Sequence, residues 1–245
     1  MKLPDVVDGC AHIADGWLQG RTAYGRASAA VALMAAKTAY PDLPPLRSVQ
    51  VAFVGPLAGD VTATPTLLRR GKNSGFIGVD VTSTDGIGLR ALFLFMAERE
   101  SEVRHGDLSI TPPTVPESAV IDGSGIGPGF LRNFEFAKAG EPLTGNWLRW
   151  VRLKDRIDLD PDIELVAIAD ALPPAAMSVA QKWGPISTTT WQLNLVSAIE
   201  TRDGWWLLGA ELLHAADGSS SQNMTIWNRD GQAVATATQS VALFV

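Results

Sequence analysis

The 245-residue chain has a single cysteine, Cys10. That excludes an internal disulfide framework, a Cys-rich zinc site and an iron–sulfur cluster, and it leads one to expect a cytoplasmic protein. Its three histidines, His12, His105 and His214, lie far apart, and none falls in a ligand spacing such as HExxH. Neither a metal site nor a cofactor is therefore expected. Positive charge is also scarce: 20 Lys+Arg against 26 Asp+Glu give a net charge of −6. Without a basic block interleaved with aromatics, a nucleic-acid partner has no electrostatic support. No apolar run is long enough to span a bilayer, and the opening MKLPDVVDGCAHIADGWLQG lacks the apolar stretch of a secretory leader, so neither a membrane span nor a leader is expected. What remains is 46% hydrophobic and 19% charged residues, an ordinary balance for a globule with a full core.

The chain repeats itself. Residues 68–96, LRRGKNSGFIGVDVTSTDGIGLRALFLFM, match residues 213–244, LHAADGSSSQNMTIWNRDGQAVATATQSVALF, in layout. Each has a Gly turn followed by Ser, an alternating strand, an Asp-Gly turn (Asp85-Gly86 and Asp230-Gly231) and a second alternating strand. Asp-Gly between alternating runs is a strong hairpin signal. Upstream of each pair lie two more strand-like runs, and before those an Ala-rich segment, at 21–40 and 161–183. The first Ala-rich segment is apolar on nearly every face, as in a helix buried all round. In the second, Pro161 suits a first helical turn, and Pro173 and Pro174 kink the helix or begin another. The unit is one buried helix followed by four antiparallel strands, present twice. The expected fold is α+β, a double hot-dog in which each helix is wrapped by an antiparallel sheet. The expected boundaries are 1–111 and 130–245, joined by a Pro/Gly-rich linker at 112–129, with helices near 21–40 and 162–182. The edges of the two sheets should pair into one.

An offset of 145 between the halves sets Asp170 against Gly25 and Gln239 against Leu94, so this polar pair exists only in the second copy and predicts one working site per chain. Gln239 also raises a question of its own. It stands among Val234, Val241 and Phe244, where a buried amide without partners costs about 1–3 kcal/mol.

The order and spacing of GWLQGRTAYGRASAA, LRSVQVAFVGPLAGD, LRRGKNS, VAIADALPPA, DGWWLL and DGQAVATATQSVALF resemble acyl-CoA thioesterases of the double hot-dog, thioesterase II type. The resemblance takes in nearly the whole chain. It implies hydrolysis of acyl-CoA by a water held between an Asp on the second central helix, a Thr or Ser on the following strand and a Gln on the last strand. Asp170 and Gln239 fall on the first and third positions. Thr188 is taken for the second, with Ser187 and Thr189 as alternatives among the hydroxyls Ser187, Thr188, Thr189 and Thr190 of ISTTTWQLNL; the Asp-His that follows the family threonine in many members is missing. In such chemistry a carboxylate accepts the water's proton while hydroxyl and amide orient it. Arg69, Arg70 and Lys72 are candidates for the phosphates of coenzyme A. A homo-oligomer is expected, with the Trp-rich second half at the contact. The rival reading is an acyl-CoA or lipid-binding module without turnover. The hydratase segment Gly-Asp-x-Asn-Pro-x-His is absent.

Overall fold

The structure, a computed structural model, describes residues 1–125, 127–141 and 143–245; residue 126 of the expected linker lies outside the described residues. The first half contributes β1 (Cys10–Ile13), β2 (Leu18–Gln19), β3 (Thr22–Ala23), helix α1 (Gly25–Ala39), β4 (Leu46–Phe53), β5 (Gly59–Arg70), β6 (Ser74–Ser83) and β7 (Gly86–Met96). Then follow β8 (Ile121–Asp122), β9 (Phe134–Lys138), β10 (Asn146–Leu153), α2 (Pro161–Ile168), β11 (Ile186–Leu195), β12 (Trp206–Ala216), β13 (Ser219–Trp227) and β14 (Ala233–Leu243). Twelve strands form one sheet in the order β1-β5-β6-β7-β4-β11-β14-β13-β12-β10-β9-β8, and β2 pairs with β3 apart from it.

Five strands on each side of the β4–β11 junction correspond, β4-β7-β6-β5-β1 to β11-β14-β13-β12-β10, with β9 and β8 added beyond; the β4–β11 pair joins the halves edge to edge, antiparallel from Ser48↔Asn194 to Thr190↔Ala52. Joining there removes the most exposed edge of each half. Connections between these strands contain Asp-Gly at residues 85–86, 203–204, 217–218 and 230–231. At Asp203-Gly204 and Asp217-Gly218 both residues have positive φ, 56° and 71°, then 50° and 75°. Those angles match the right-handed twist of the flanking strands.

α1 is rich in alanine and packs against the sheet and its partner helix. Arg26 through Leu33, Ala35 and Ala36 are all buried. α2 starts with Asp160, whose carboxylate accepts from the amides of Asp162 and Ile163, and with Pro161 in the first turn. It is shorter than the sequence pattern suggests. The helix stops at Ile168, and after the two prolines a short 3-10 turn, Ala175–Ser178, takes the place of its second half. The two helices run antiparallel: Lys37 near the end of α1 bonds Asp160 and Asp162 at 2.6 and 2.7 Å, while Arg26 near its start reaches Asp170 just past the end of α2.

A second, smaller core lies under the connection between the halves, where Val115, Ala137, Ala139, Trp150, Trp205 and Leu207 pack together. Trp150, Trp205 and Trp206 are at most 2% exposed, and Trp147 is half-buried with its indole N–H on Pro174 O. Trp150, Trp205 and Trp206 are thus spent inside the chain, whereas Trp183 of the same half is 69% exposed.

Candidate active site

Asp170 follows α2 directly, at the helix C-terminus and not in its N-terminal half. The partial negative charge of a helix C-terminus does not help a carboxylate there. Its side chain is 11% exposed. Burial raises its pKa from an ordinary 3.8 to about 6, against the lowering effect of the Arg26 guanidinium and of a hydrogen bond from Gln239. One oxygen, Oδ2, accepts from Arg26 Nη2 at 2.8 Å and from Gln239 Nε2 at 2.9 Å. The other, Oδ1, is buried and accepts no hydrogen bond among the described residues.

Gln239 sits on β14 at an inward position, 3% exposed. Its Nε2 also donates to Thr188 Oγ1 at 2.6 Å, so both amide hydrogens are used. Its Oε1 accepts from Gln222 Nε2 at 2.6 Å, and Gln222 Oε1 accepts from the Ala175 amide at 2.7 Å. This chain of bonds fixes which way each amide points. The Ala175 N–H can only donate, so the facing atom of Gln222 is its oxygen. Gln222 then presents its nitrogen to Gln239, and Gln239 turns its own nitrogen to Asp170 and Thr188. The place of Gln239 among valines is thereby accounted for, since every polar atom of its amide is satisfied.

Thr188 reaches this cluster through a bulge. The ladder of β11 and β14 pairs Trp191↔Gln239 and Thr190↔Ser240, then shifts so that Thr188 pairs with Val241. Thr189 is the extra residue, and its hydroxyl donates to Ser240 O. One extra residue reverses the alternation, so Thr188 faces inward with Gln239 while Ser187 and Thr189 are exposed. Among the hydroxyls of ISTTT, Thr188 is the one bonded to Gln239.

Two members of the cluster had no forecast. Arg26 comes from α1 of the other half and is 0% exposed, its guanidinium over the rings of Phe53 at 5.0 Å and Trp191 at 4.2 Å. Gly25 makes room for this, because a Cβ there would lie 2.8 Å from the Phe53 ring. Gln222 is 1% exposed on β13. The sign of Arg26 in the sequence is a lone cation at the head of an all-apolar helix, which demands a buried partner. That of Gln222 is an amide at an inward step of the alternation SSSQNMTIW.

The internal comparison of halves needs one correction. The residue that an offset of 145 sets against Gln239, Leu94, is half-buried between the buried Phe93 and Phe95, so it points to the other face of the sheet. A register error of one step moves a side chain across the sheet. The inward counterparts in β7 are the phenylalanines, which keeps the contrast: apolar in the first half, polar in the second.

Arg69, Arg70 and Lys72 are not brought to this cluster. Arg70 stands in a row with Gly75, Phe95 and Leu46, whereas Thr190 pairs with Ala52 at the opposite end of β4. The separation along β4 alone is roughly 20 Å. Arg70 donates instead to Asp42 O. A cleft of about 730 Å³ lies across the middle of the sheet, with Gln50, Thr66, Leu92, Gln192 and Thr238 in its lining. These are outward positions; Gln222 and Gln239 also line the cleft, while the Gln239 amide is bonded to Asp170 and Thr188. Among the described residues no group of three or more His, Cys, Asp and Glu is placed to hold a metal ion, and no helix is long and apolar enough to cross a membrane.

In structure the chain is similar to a hot-dog protein of unknown function from Alicyclobacillus acidocaldarius, at 19% identity and a TM-score of 0.84, over 98% of this chain and 95% of that one. It is similar also to the tesB protein of Mycobacterium avium subsp. paratuberculosis, at 19% identity and a TM-score of 0.77, over 98% and 94% of the two chains. A third similar structure is the acyl-CoA thioesterase II TesB2 of Mycobacterium marinum, at 14% identity and a TM-score of 0.72, over 98% and 93%. These likenesses establish the hot-dog fold. No curated protein sequence matches the chain. The profile of the acyl-CoA thioesterase N-terminal domain matches residues 13–96, and that of the C-terminal domain matches residues 110–243. Matched in both halves and over more than half its length by the second profile alone, the chain belongs to the acyl-CoA thioesterase family.

Proposed function

We propose that this protein hydrolyses acyl-CoA to a free acid and coenzyme A by water that Asp170 activates. The observation that carries the reading is the division of labour at Asp170. Oδ2 is held by two donors, Arg26 and Gln239, while Oδ1 has none and is free to take a proton. Thr188 Oγ1 already accepts from Gln239, so its hydroxyl hydrogen is left to donate to the water oxygen. A water between the two gives one hydrogen to Oδ1, accepts the Thr188 hydrogen bond on one lone pair and turns the other toward the thioester carbon. As the new C–O bond forms, its proton passes to Asp170. The tetrahedral intermediate then expels the thiolate of coenzyme A, and the proton on Asp170 returns to the sulfur. Holding the water in place removes much of the entropy loss of a bimolecular attack.

Thr188 is half-buried and Asp170 slightly exposed, whereas Arg26, Gln222 and Gln239 are closed off. The substrate therefore approaches from the side of Thr188 and Asp170.

The test is thiol release from butyryl-, decanoyl- and palmitoyl-CoA, followed with a thiol-reactive dye. Because a base works only as its carboxylate, kcat/KM should fall on the acid side with a midpoint near pH 6, the raised pKa of Asp170. Gln239→Ala and Thr188→Val should both lower kcat with little change in KM, each by less than loss of the base itself. Folded protein that binds these esters without releasing thiol would instead be a binding module.

A further inference from the structure

We infer that Arg26, supplied by the first half of the chain, is a positioning residue that keeps Asp170 of the second half in its carboxylate form and fixes the oxygen it turns to the water. This rests on the reading of Asp170 as the base.

Three observations support it. First, Arg26 is completely buried in a helix whose other buried members, from Ala27 to Leu33, are small or apolar except Ser28. A guanidinium is not placed in such surroundings without a counter-charge. Second, it is not a general brace. Its Nη2 donates to Asp170, while its buried Nε and Nη1 find no acceptor among the described residues. A structural arginine in a core would be expected to tie several backbone carbonyls together with its five donors. This one lies over the rings of Phe53 and Trp191, which hold a flat cation in position without offering a hydrogen-bond acceptor. Third, Trp191 is the cross-strand neighbour of Gln239, so the ring that lies against Arg26 stands beside the amide that shares Asp170 Oδ2 with it.

The electrical surroundings of Asp170 leave this role to Arg26. The other cation of α1, Lys37, is taken up by Asp160 and Asp162 at the far end of the helix pair. On α2, the buried Glu164 is bound to Trp206 Nε1 and Arg156. The groups that meet Asp170 or Gln239 from β11, β13 and β14, namely Thr188, Gln222 and Gln239, are neutral. Tyr24, which precedes α1, is a buried phenol whose pKa is raised, by burial first and then by the charge on Asp170, so it stays neutral. Arg26 is the cation bonded to the carboxylate, and its charge acts on Asp170 against the effect of burial.

The consequence is a site built from both halves. The polar residues near the reacting water lie in the second repeat, but the charge that keeps the base ionised comes from the first.

The experiment is the pH dependence of kcat/KM for Arg26→Gln and Arg26→Lys, with Asp170→Asn alongside. An opposite charge beside a carboxylate shifts its pKa by about 1 to 3 units. Arg26→Gln should therefore move the acid limb about one pH unit or more toward higher pH, with activity recovering toward the wild-type plateau in alkaline buffer. Arg26→Lys keeps a charge but loses the planar fork, and should move the limb by a smaller amount. A merely structural arginine would lower the rate evenly at every pH. An acid limb left at the wild-type position in folded Arg26→Gln overturns the inference, and Arg26→Met, which also removes the charge, decides in its place should the glutamine variant fail to fold. The two failures are separable. An inactive Asp170→Asn with an unmoved limb at position 26 leaves the base in place and removes Arg26 from its service. An active Asp170→Asn removes both.

Discussion

Asp170→Asn is expected to lose about 100- to 10,000-fold in kcat, the usual contribution of a general base, and to flatten the stability of the folded chain against pH. Asparagine keeps the shape and can still accept from Gln239 and Arg26 through its oxygen, but it cannot take a proton from water. The flattening follows from the direction of the pKa shift. In the unfolded chain the carboxyl titrates near 3.8, and in the folded chain near 6. Below about pH 4 it is protonated in both states and burial of its charge costs nothing. As pH rises toward 6 the unfolded chain releases its proton first, and the fold loses stability. Above 6 the loss is complete, and a rise of about two units corresponds to at most about 3 kcal/mol. Chemical unfolding of the wild type and the variant between pH 4 and 8 should show a gap that moves in the variant's favour through pH 5 and 6 and then stays level. A gap of the same size at every pH would mean that the buried charge is not its cause. Undiminished thiol release from the folded variant would remove Asp170 from the reaction.

A carboxylate whose ionised form is disfavoured by burial yet kept in place is the mark of a residue held for chemistry against the interest of the fold. Burial also separates the two buried ionic features of the helix pair. Lys37, Asp160 and Asp162 sit near the surface and tie one helix end to the other. Arg26 and Asp170 sit at the closed end, where a hydrophobic pair of similar volume would cost the fold less.

Much of the fold could be read from the chain because its strands alternate cleanly and its hairpins are closed by Asp-Gly, two local signals that need no tertiary knowledge. The buried helix of the first half was legible for the same reason, since GRASAAVALMAA leaves no polar face. The end of α2 was not, because its composition stays apolar past Ile168. Only the packing against the sheet decides where it stops, and that stop is what puts Asp170 at a helix C-terminus. Gln239 stands out as a polar residue in an apolar run, whereas Asp170 is marked by the family resemblance. The inward turn of Thr188 depends on a bulge whose extra residue, Thr189, looks like any other threonine of a strand. Arg26 meets its partner 144 residues away, a distance at which periodicity carries no information. Its only trace is the energetic oddity of a cation where the pattern calls for none.

Gln222 has the least conspicuous position in the cluster, and its replacement by glutamate should nonetheless lower kcat about 100-fold, the scale on which a misplacement of about 1 Å acts in a tuned site. The reason lies in the direction of the hydrogen-bond chain. Gln222 accepts from the Ala175 amide with one end and donates to Gln239 with the other. Glutamate can still accept from Ala175, but its second oxygen would then face Gln239 Oε1, acceptor against acceptor. The simplest relief is for Gln239 to rotate its amide by half a turn and donate to the new carboxylate. Its oxygen would then face Asp170 Oδ2 and Thr188 Oγ1, the two atoms its nitrogen now holds. Asp170 would lose a donor that lowers its pKa, and a second carboxylate would stand nearby, so the acid limb of kcat/KM should move to higher pH as well. Gln222→Leu separates polarity from packing. It fills a similar space but makes no demand on Gln239, which would keep its present orientation through Asp170 and Thr188. The leucine variant should therefore lose stability, by about 1 to 3 kcal/mol for each of the two groups left unpaired, the Ala175 amide and the Gln239 oxygen, and much less activity than the glutamate variant. Equal kinetic losses from the two substitutions would show that Gln222 serves as filling alone. The expected ranking, glutamate far below leucine in kcat with both proteins folded, would show that a backbone amide outside the site sets the orientation of the group that holds the water.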